Sequence, residues 1–302
     1  MDTSSLNEHF AIPGVLAFDE HEGLPRARIT SSAASATVYL HGAHLTHWQP
    51  AGHAPVLFMS DASDFAPGKP IRGGIPICFP WFGPRSLGPR TDGPSHGFAR
   101  IQPWELTFAA ILPDAAAGDS VHLTFTLGPT GLSRSLGFDH FRVACQVIIG
   151  RTLTLRLAVA NLGELPLQFE EALHTYLAVP DVHAVSIVGV AGAEYLDKTA
   201  DGARKRLPDA PLRFTARTDS VFPNHTAPCT LLIPGQSSIT NTKRHSATTV
   251  IWNPSETITL PDLQPGGWRH FCCIETANTG VDAITLAPGQ THTMEAVLTP
   301  GT

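Results

Sequence analysis

Two arginines of this 302-residue sequence stand in settings where a positive charge needs a partner. Arg72 leads the otherwise apolar run 72–83, and Arg100 closes a short segment in which His96 precedes a flexible glycine. A guanidinium taken out of water is costly unless an anion meets it, and its paired donors match the oxygens of a phosphate or carboxylate. Arg72 therefore predicts a ligand clamp, with a surface salt bridge as the alternative, whereas the segment with His96 and Arg100 does not by itself indicate a function.

A histidine and a glutamate in two apolar segments could move protons. His174 interrupts the apolar and aromatic segment 172–177, and Glu275 closes the strongly apolar segment 268–276. A desolvated carboxylate has a raised pKa and is suited to accept a proton, and an imidazole can donate one. The structural alternatives are a histidine whose ring is satisfied in the core and a strand-end glutamate that faces water.

Three common motifs of catalysis and phosphate binding do not occur in the sequence. It contains no GxSxG, GxxxxGK[ST] or GxGxxG pattern, so the hydrolase, nucleotidase and dinucleotide-binding classes lack motif support. It contains no CxxC pair, and its five cysteines include the neighbours Cys272 and Cys273, which rarely bridge each other. We therefore expect reduced thiols, and neither a zinc ribbon nor a thioredoxin-like site.

Three closely spaced histidines, His41, His44 and His47, are the feature that would support a metal site. Cupin-like β proteins also collect histidines on strands. On an extended strand, however, His41 and His47 share a face while His44 points to the other, so the three rings converge only with a turn at Gly42. We expect no metal and no other cofactor.

The order of these segments resembles the glucose-6-phosphate 1-epimerase family, the hexose-6-phosphate mutarotases of the galactose mutarotase-like superfamily. The resemblance covers about residues 42–278, and its first, third and last motifs are specific in combination. It implies an all-β fold: a large antiparallel β-sandwich of the galactose mutarotase-like supersandwich type, with few short helices, as a single domain over residues 1–302. The motifs, in chain order, are RGGIPICFPWFG, SHGFAR, ALHTYL, TDSVF, WNP and CCIETAN.

The resemblance also implies a role for each matching residue. His174 is the expected general acid, Glu275 the expected general base, and Asp219 the expected partner of a sugar hydroxyl. Ser95 departs from the family, which often has glutamine at this position, so a water would have to bridge the shorter side chain to the sugar. The expected substrate-binding residues are Arg72, Ser95, His96, Arg100 and Asp219.

The implied reaction is cofactor-independent exchange of the α and β anomers of a hexose 6-phosphate, chiefly glucose 6-phosphate. Glu275 as a carboxylate would take the C1 hydroxyl proton while His174 as an imidazolium protonates the ring oxygen O5. This requires an ionised pair, and we expect its members on opposite sides of the pyranose. The alternatives are an aldose 1-epimerase for unphosphorylated sugars and a carbohydrate-binding module without catalysis.

Alternation of apolar and polar residues predicts many half-buried strands, and therefore an antiparallel sandwich, as the scaffold for these side chains. The alternation is clearest at 121–127 and 152–157. Residues 64–97 lack it and predict a long functional loop, whereas 113–120 and 201–211 predict exposed loops. Further strands are predicted at 36–40, 104–111, 140–149, 182–190, 229–233, 247–252, 268–276 and 292–298.

The composition is that of a compact globular protein. Hydrophobic residues make up 42% of the chain and charged residues 15%, which is enough for a sizeable core. The net charge of −6 gives no general attraction to nucleic acid or anionic lipid. Apolar stretches such as 143–149 are too short to span a membrane, and the first residues lack a secretory pattern. We expect a cytoplasmic monomer that acts on a small-molecule hexose 6-phosphate, without nucleic-acid or membrane partners.

Overall fold

The computed structural model describes residues 1–113 and 118–301, and its helices are short. Helix α1 covers Thr3–Phe10 and helix α2 covers Gly131–Ser135. The carboxylate of Asp2 caps α1 by accepting a hydrogen bond from the backbone amide of Ser5. None of the described helices combines the length and apolar character that a membrane crossing requires. Short 3-10 segments lie at Ala99–Ile101, Lys198–Ala200, Gly267–His270 and Gly280–Asp282.

Strands form most of the described regular structure, and neighbouring strands pair antiparallel. The strands are β1 (Leu16–His21), β2 (Leu24–Thr30), β3 (Ala34–Tyr39), β4 (His44–Pro50), β5 (Ile77–Cys78), β6 (Glu105–Leu112), β7 (Ser120–Leu127), β8 (Phe141–Ile149), β9 (Leu153–Asn161), β10 (Leu167–Phe169), β11 (Glu171–Leu173), β12 (Tyr176–Ala178), β13 (Ser186–Val188), β14 (Glu194–Asp197), β15 (Ala203–Arg206), β16 (Leu212–Arg213), β17 (Thr218–Phe222), β18 (Cys229–Leu232), β19 (Ile239–Arg244), β20 (Thr248–Asn253), β21 (Phe271–Asn278), β22 (Ile284–Leu286) and β23 (Thr291–Pro300).

Two large sheets dominate the described part of the chain. One has eight strands in the order β15-β14-β17-β20-β21-β11-β5, with β12 also paired to β21. The other has nine strands in the order β16-β13-β18-β19-β23-β9-β8-β7-β6. A four-stranded sheet, β1-β2-β3-β4, and the pair β10-β22 complete the arrangement. Strands distant in sequence, such as β5 and β21, therefore meet in one sheet.

The two large sheets pack face to face around one core. Cys145 and Leu157 of the nine-stranded sheet belong to the same buried cluster as Ile274 of the eight-stranded sheet. A hydrogen bond of 3.2 Å from the Asn241 amide to the Thr276 hydroxyl also joins the sheets. The alternating burial of β7, β8 and β9 follows the alternation of their sequences, as expected for strands with one face on a core. The predicted antiparallel β-sandwich is confirmed.

Strand β21 is buried on both faces, and its two faces have different surroundings. Cys272 and Ile274 point into the core between the sheets. Cys273 and Ala277 belong to two smaller clusters on the opposite face. Because side chains alternate along a strand, Glu275 shares the face of Cys273 and Ala277.

Each predicted strand overlaps an observed strand, and three predictions need correction. The predicted strand 268–276 begins only at Phe271, after a 3-10 segment at Gly267–His270. The predicted strand 182–190 is regular only at Ser186–Val188. The predicted loop 201–211 is exposed but contains the strand Ala203–Arg206, which pairs with β14. Within residues 64–97, all of them described, the only strand is β5, in keeping with the predicted long loop. Residues 114–117 of the predicted loop 113–120 lie outside the described residues.

Candidate active site

A cleft of about 730 Å³ opens on the face of the eight-stranded sheet that points away from the core. Its floor consists of side chains from three adjacent strands. Val221 pairs with Val250, and Val250 pairs with Glu275, so the three side chains point to the same face of the sheet. The volume is typical of a site for a small molecule. The residues predicted for the site all line this cleft: Arg72, Ser95, His96, Arg100, His174, Asp219 and Glu275.

His174 and Glu275 are in direct contact. His174 follows β11, where its backbone amide donates to the carbonyl of Pro76, and its ring stacks on that of Tyr176 with centroids 4.8 Å apart. Its Nε2 lies 3.3 Å from Oε1 of Glu275, and both residues are buried. No sugar ring fits between groups at this distance, so the prediction that they face each other across a pyranose is wrong.

Burial shifts the pKa values of both groups toward their uncharged forms. The pKa of Glu275 is raised well above its ordinary value by desolvation and then by the negative charge of Asp219. The pKa of His174 is lowered well below its ordinary value by desolvation, by His96 and by two nearby arginines. The structure therefore favours a neutral imidazole beside a carboxylic acid, the reverse of the ionised pair predicted from the sequence. The ionised and the neutral pair contain the same number of protons. They differ only in whether one proton lies on Glu275 or on His174, which are 3.3 Å apart.

Arg72 is held in place by two partners. Its guanidinium donates to the hydroxyl of Tyr176 at 2.8 Å and forms a salt bridge of 3.0 Å with Asp262. The two glycines that follow Arg72 are needed for a close passage of the backbone. At Gly73 a Cβ atom would collide with the carbonyl oxygen of Phe58, and both glycines have positive φ. The charge of Arg72 is thus largely balanced before any ligand binds.

Arg100 differs from Arg72 in having no carboxylate partner among the described residues. Its guanidinium donates to the backbone carbonyl of Ser95 at 2.8 Å, and its Nε atom, like that of Arg72, is buried without a hydrogen bond to the described residues. Desolvation is the main cause of its lowered pKa. A desolvated guanidinium that has no counter-ion among the described residues favours the binding of an anion in the cleft.

His96 is fixed as a hydrogen-bond donor to the cleft. Its backbone lies in the left-handed region with φ of 63°, and Gly97 after it passes so close to the carbonyl of Phe79 that no Cβ fits. The backbone amide of Gly83 donates to its Nδ1 at 3.2 Å, which places the ring proton on Nε2. Burial lowers the pKa of His96 to about 3, so the ring is neutral.

Asp219 and Ser95 lie at two sides of the cleft. Asp219 of β17 pairs in register with Trp252, and desolvation raises its pKa. Arg217 is 3.9 Å away, so the carboxylate keeps acceptor capacity for a ligand. Ser95 contributes its carbonyl to Arg100, and its side chain lines the cleft.

Three residues that shape the site were not assigned a role from the sequence. Tyr176 and Asp262 hold Arg72, and Glu170 accepts hydrogen bonds from the backbone amides of Phe82 and Gly280 in two walls of the cleft. Tyr176 could have been found because it lies two positions after His174. Asp262 offered no local signal, since its partner is distant in the chain.

The three spaced histidines do not form a metal site. Nε2 of His41 bonds to the carbonyl of Lys69, Nε2 of His44 to that of Gly73, and Nε2 of His47 to the hydroxyl of Ser35. Each ring thus has its own partner in a different place. The rings orient loop and strand backbone instead of converging.

Known structures share this fold. A structure of a mutarotase from Salmonella typhimurium matches it with a TM-score of 0.87 at 28% identity, covering 97% of this chain and 96% of the other. A galactose mutarotase related enzyme from Lactobacillus acidophilus, at 14% identity, matches with a TM-score of 0.72 over 92% of this chain and 97% of that one. The architecture is the galactose mutarotase-like β-sandwich.

Sequence relatives define the family. The family model for aldose 1-epimerase matches residues 25–299. A relative from Escherichia coli K12, named as a glucose-6-phosphate 1-epimerase, is 34% identical over 254 residues, which are 80% of this chain and 79% of the relative. A Salmonella typhimurium relative of the same name is 31% identical over 281 residues, covering 90% and 91%. The chain belongs to the aldose 1-epimerase family and is an isomerase that interconverts the α and β anomers of a sugar.

Proposed function

We propose that this protein interconverts the anomers of hexose 6-phosphates, chiefly glucose 6-phosphate, with Glu275 as general base and His174 as general acid. The main support for a phosphorylated substrate is the setting of Arg100. Among the described residues this arginine has no carboxylate partner, and it lines the same cleft as His174 and Glu275. The names of two relatives point to the same substrate.

The contact between His174 and Glu275 suits the geometry of anomer exchange. The two oxygens that must exchange protons, O1 and O5, are both bonded to C1 and therefore lie close together. Two groups 3.3 Å apart can reach both oxygens from one side. The sugar would lie over the pair, with O1 at Glu275 and O5 at His174.

The proton balance closes without a cofactor. A proton passes from the carboxylic acid of Glu275 to His174, and the resulting carboxylate removes the proton of the C1 hydroxyl. The C1–O5 bond breaks as C1 and O1 form a carbonyl, and O5 takes the proton from His174. Rotation about C1–C2 and reversal of the same steps closes the ring with the other configuration. Each positioned acid or base contributes about 10²- to 10⁴-fold in rate.

The two arginines would bind different parts of the substrate. Asp262 already balances the charge of Arg72, so we assign Arg72 to hydroxyl groups of the sugar. Arg100 has no such partner in the part of the chain that the structure describes, and a phosphate with nearly two negative charges would supply one. Nε2–H of His96 would donate to a substrate oxygen, and Asp219 would accept from a hydroxyl.

Saturation-transfer NMR of the anomeric protons tests the proposal. The wild type should exchange the anomers of glucose 6-phosphate with a higher kcat/KM than those of glucose. Arg100→Gln should lower kcat/KM for glucose 6-phosphate by on the order of 10²-fold, because charge-assisted hydrogen bonds are lost. The rate for glucose should change much less.

Arg85→Gln is the matched control. Arg85 lies on the loop 64–97 that precedes Arg100, and its guanidinium stacks on the Trp81 ring, 4.8 Å from the ring centroid. Its loss should leave the preference for the phosphate unchanged. Equal rates for both sugars in the wild type would instead support an aldose 1-epimerase for free sugars. Unchanged exchange in both His174→Gln and Glu275→Gln would support a binding module.

A further inference from the structure

Cys273 lies beside the proton-carrying pair on the cleft-facing side of β21. It precedes Glu275 by two residues, so both side chains leave the strand on the same face. One donor atom each from His174, Cys273 and Glu275 lie within 4.8 Å of one another, and all three residues are buried. The roles assigned to His174 and Glu275 do not use this thiol.

The spacing of these donor atoms fits a small tetrahedral ion. Two ligands at ordinary zinc–nitrogen and zinc–oxygen distances lie about 3.4 Å apart in a tetrahedron. The separation of His174 Nε2 and Glu275 Oε1 is 3.3 Å. A sulfur at the zinc–sulfur distance would complete three corners after a side-chain shift of about 1 Å, leaving the fourth corner for water.

Charge balance supports the same site. A thiolate and a carboxylate together cancel the two charges of a divalent cation, so the site would stay neutral near the two arginines. Imidazole and thiolate ligands select zinc-like ions over magnesium or calcium.

We propose that His174, Cys273 and Glu275 bind Zn²⁺ or Cd²⁺ and that this binding inhibits anomer exchange. The ion occupies the nitrogen and the oxygen that carry protons, so metal and sugar exclude each other. Metal binding is independent of the proposed function, whereas the inhibition rests on it. The metal is an inhibitor here and takes no part in the reaction.

Cadmium titration of the purified protein without substrate tests the binding. We expect one Cd²⁺ per chain, with an ultraviolet charge-transfer band from one thiolate. Cys273→Ala and Cys273→Ser should each lose the band. Two variants serve as matched controls and should keep it: Cys272→Ala, whose side chain points into the core, and Cys78→Ala, whose thiol lies 3.4 Å from His96 Nδ1.

Inhibition is measured by the same NMR assay, dividing each variant's rate with metal by its own rate without metal. Cys273→Ala should raise the Cd²⁺ or Zn²⁺ concentration for half-inhibition by about tenfold or more. Glucose 6-phosphate should lower the cadmium band of the wild type. The proposal is overturned if the wild type shows no thiolate band, if the band follows Cys78, or if Cys273→Ala is inhibited like the wild type. A band without inhibition would refute the inhibitory step alone.

Discussion

Two histidine–glutamate pairs lie on opposite faces of the eight-stranded sheet, and His292 is the one member that is only half-buried. His174 and Glu275 face the cleft at 3.3 Å, whereas His292 and Glu171 lie between the two sheets at 3.0 Å. The interior pair is completed by Asn278, whose amide donates to Glu171 and to the carbonyl of His245. Among the described residues the second carboxylate oxygen lacks a hydrogen bond in both pairs, but the hydrogen bond from an amide to the first oxygen is present only in the interior pair.

The two histidines respond to these surroundings in opposite ways. Burial alone would lower the pKa of His292, but the hydrogen bond and charge of Glu171 raise it. The pKa of His174 is lowered by burial and by positive neighbours. The surroundings therefore favour a charged His292, and hence an ion pair, in the interior, whereas in the cleft they favour the neutral forms of both His174 and Glu275. The charges around a pair, more than its internal distance, decide which it becomes.

The largest expected effect is on catalysis and only at the cleft. His174→Gln and Glu275→Gln should each lower kcat by about 10²- to 10⁴-fold, because each removes one proton carrier. Glu171→Gln should change kcat only a few-fold. Saturation-transfer NMR with glucose 6-phosphate measures all three. A comparable loss in Glu171→Gln would show that the interior pair controls the chemistry.

The next effect is on stability and should fall mainly on the interior pair. His292→Leu leaves the Glu171 carboxylate buried without its cation, which costs about 3 kcal/mol. His174→Leu should cost about 1 kcal/mol or less, because Glu275 stays protonated and no buried charge is stranded. Urea unfolding measures both changes in the free energy of unfolding, provided that the dependence of this free energy on urea concentration is the same in the wild type and the variants. Equal losses would mean that the two pairs are energetically alike.

The pH dependence of stability should have opposite signs for the two pairs. The pKa of His292 is raised above 6.5, so its stabilisation is complete below that pH and is lost as the pH rises through the raised value. The pKa of His174 is lowered below 6.5, so stability falls as the pH drops below 6.5 and the unfolded chain takes up a proton. His292→Leu should therefore be closest to the wild type at high pH, and His174→Leu at low pH.

Urea unfolding across this pH range, with imidazole NMR of both histidines, checks the signs. The expected differences are on the order of 1 kcal/mol per unit of pKa shift. A His174 ring that is charged at neutral pH would contradict the neutral cleft pair. A neutral His292 ring would contradict the interior ion pair.

The smallest expected effect concerns the supply of hydrogen bonds to the cleft. Ser95→Gln restores the longer side chain that the family often has at this position, and it should lower KM for glucose 6-phosphate by about threefold with kcat little changed. Ser86→Gln, at another position lining the cleft, is the control. An unchanged KM in Ser95→Gln would mean that a water already serves this contact.

Much of the scaffold could be predicted because its strands bury one face. β7, β8 and β9 alternate in sequence and in burial, and the alternation that predicts them is clearest for β7 and β9. The strand Ala203–Arg206 was not found, because it is exposed along its length and is held by backbone pairing with β14. The two-residue strand β5 is too short to show any period. Alternation reports burial, and strands without it carry no such signal.

The sequence by itself determined the motifs, the side chains available for acid–base chemistry and the antiparallel sandwich. His174 interrupts one apolar segment and Glu275 closes another, and the resemblance to a family implied their roles. Only the tertiary structure decided that these two touch, that both are driven toward their neutral forms, and that Asp262 pairs with Arg72 while Arg100 has no carboxylate partner among the described residues. The reason is physical: a pKa and a counter-ion depend on distances between residues far apart in the chain, and local sequence does not contain those distances.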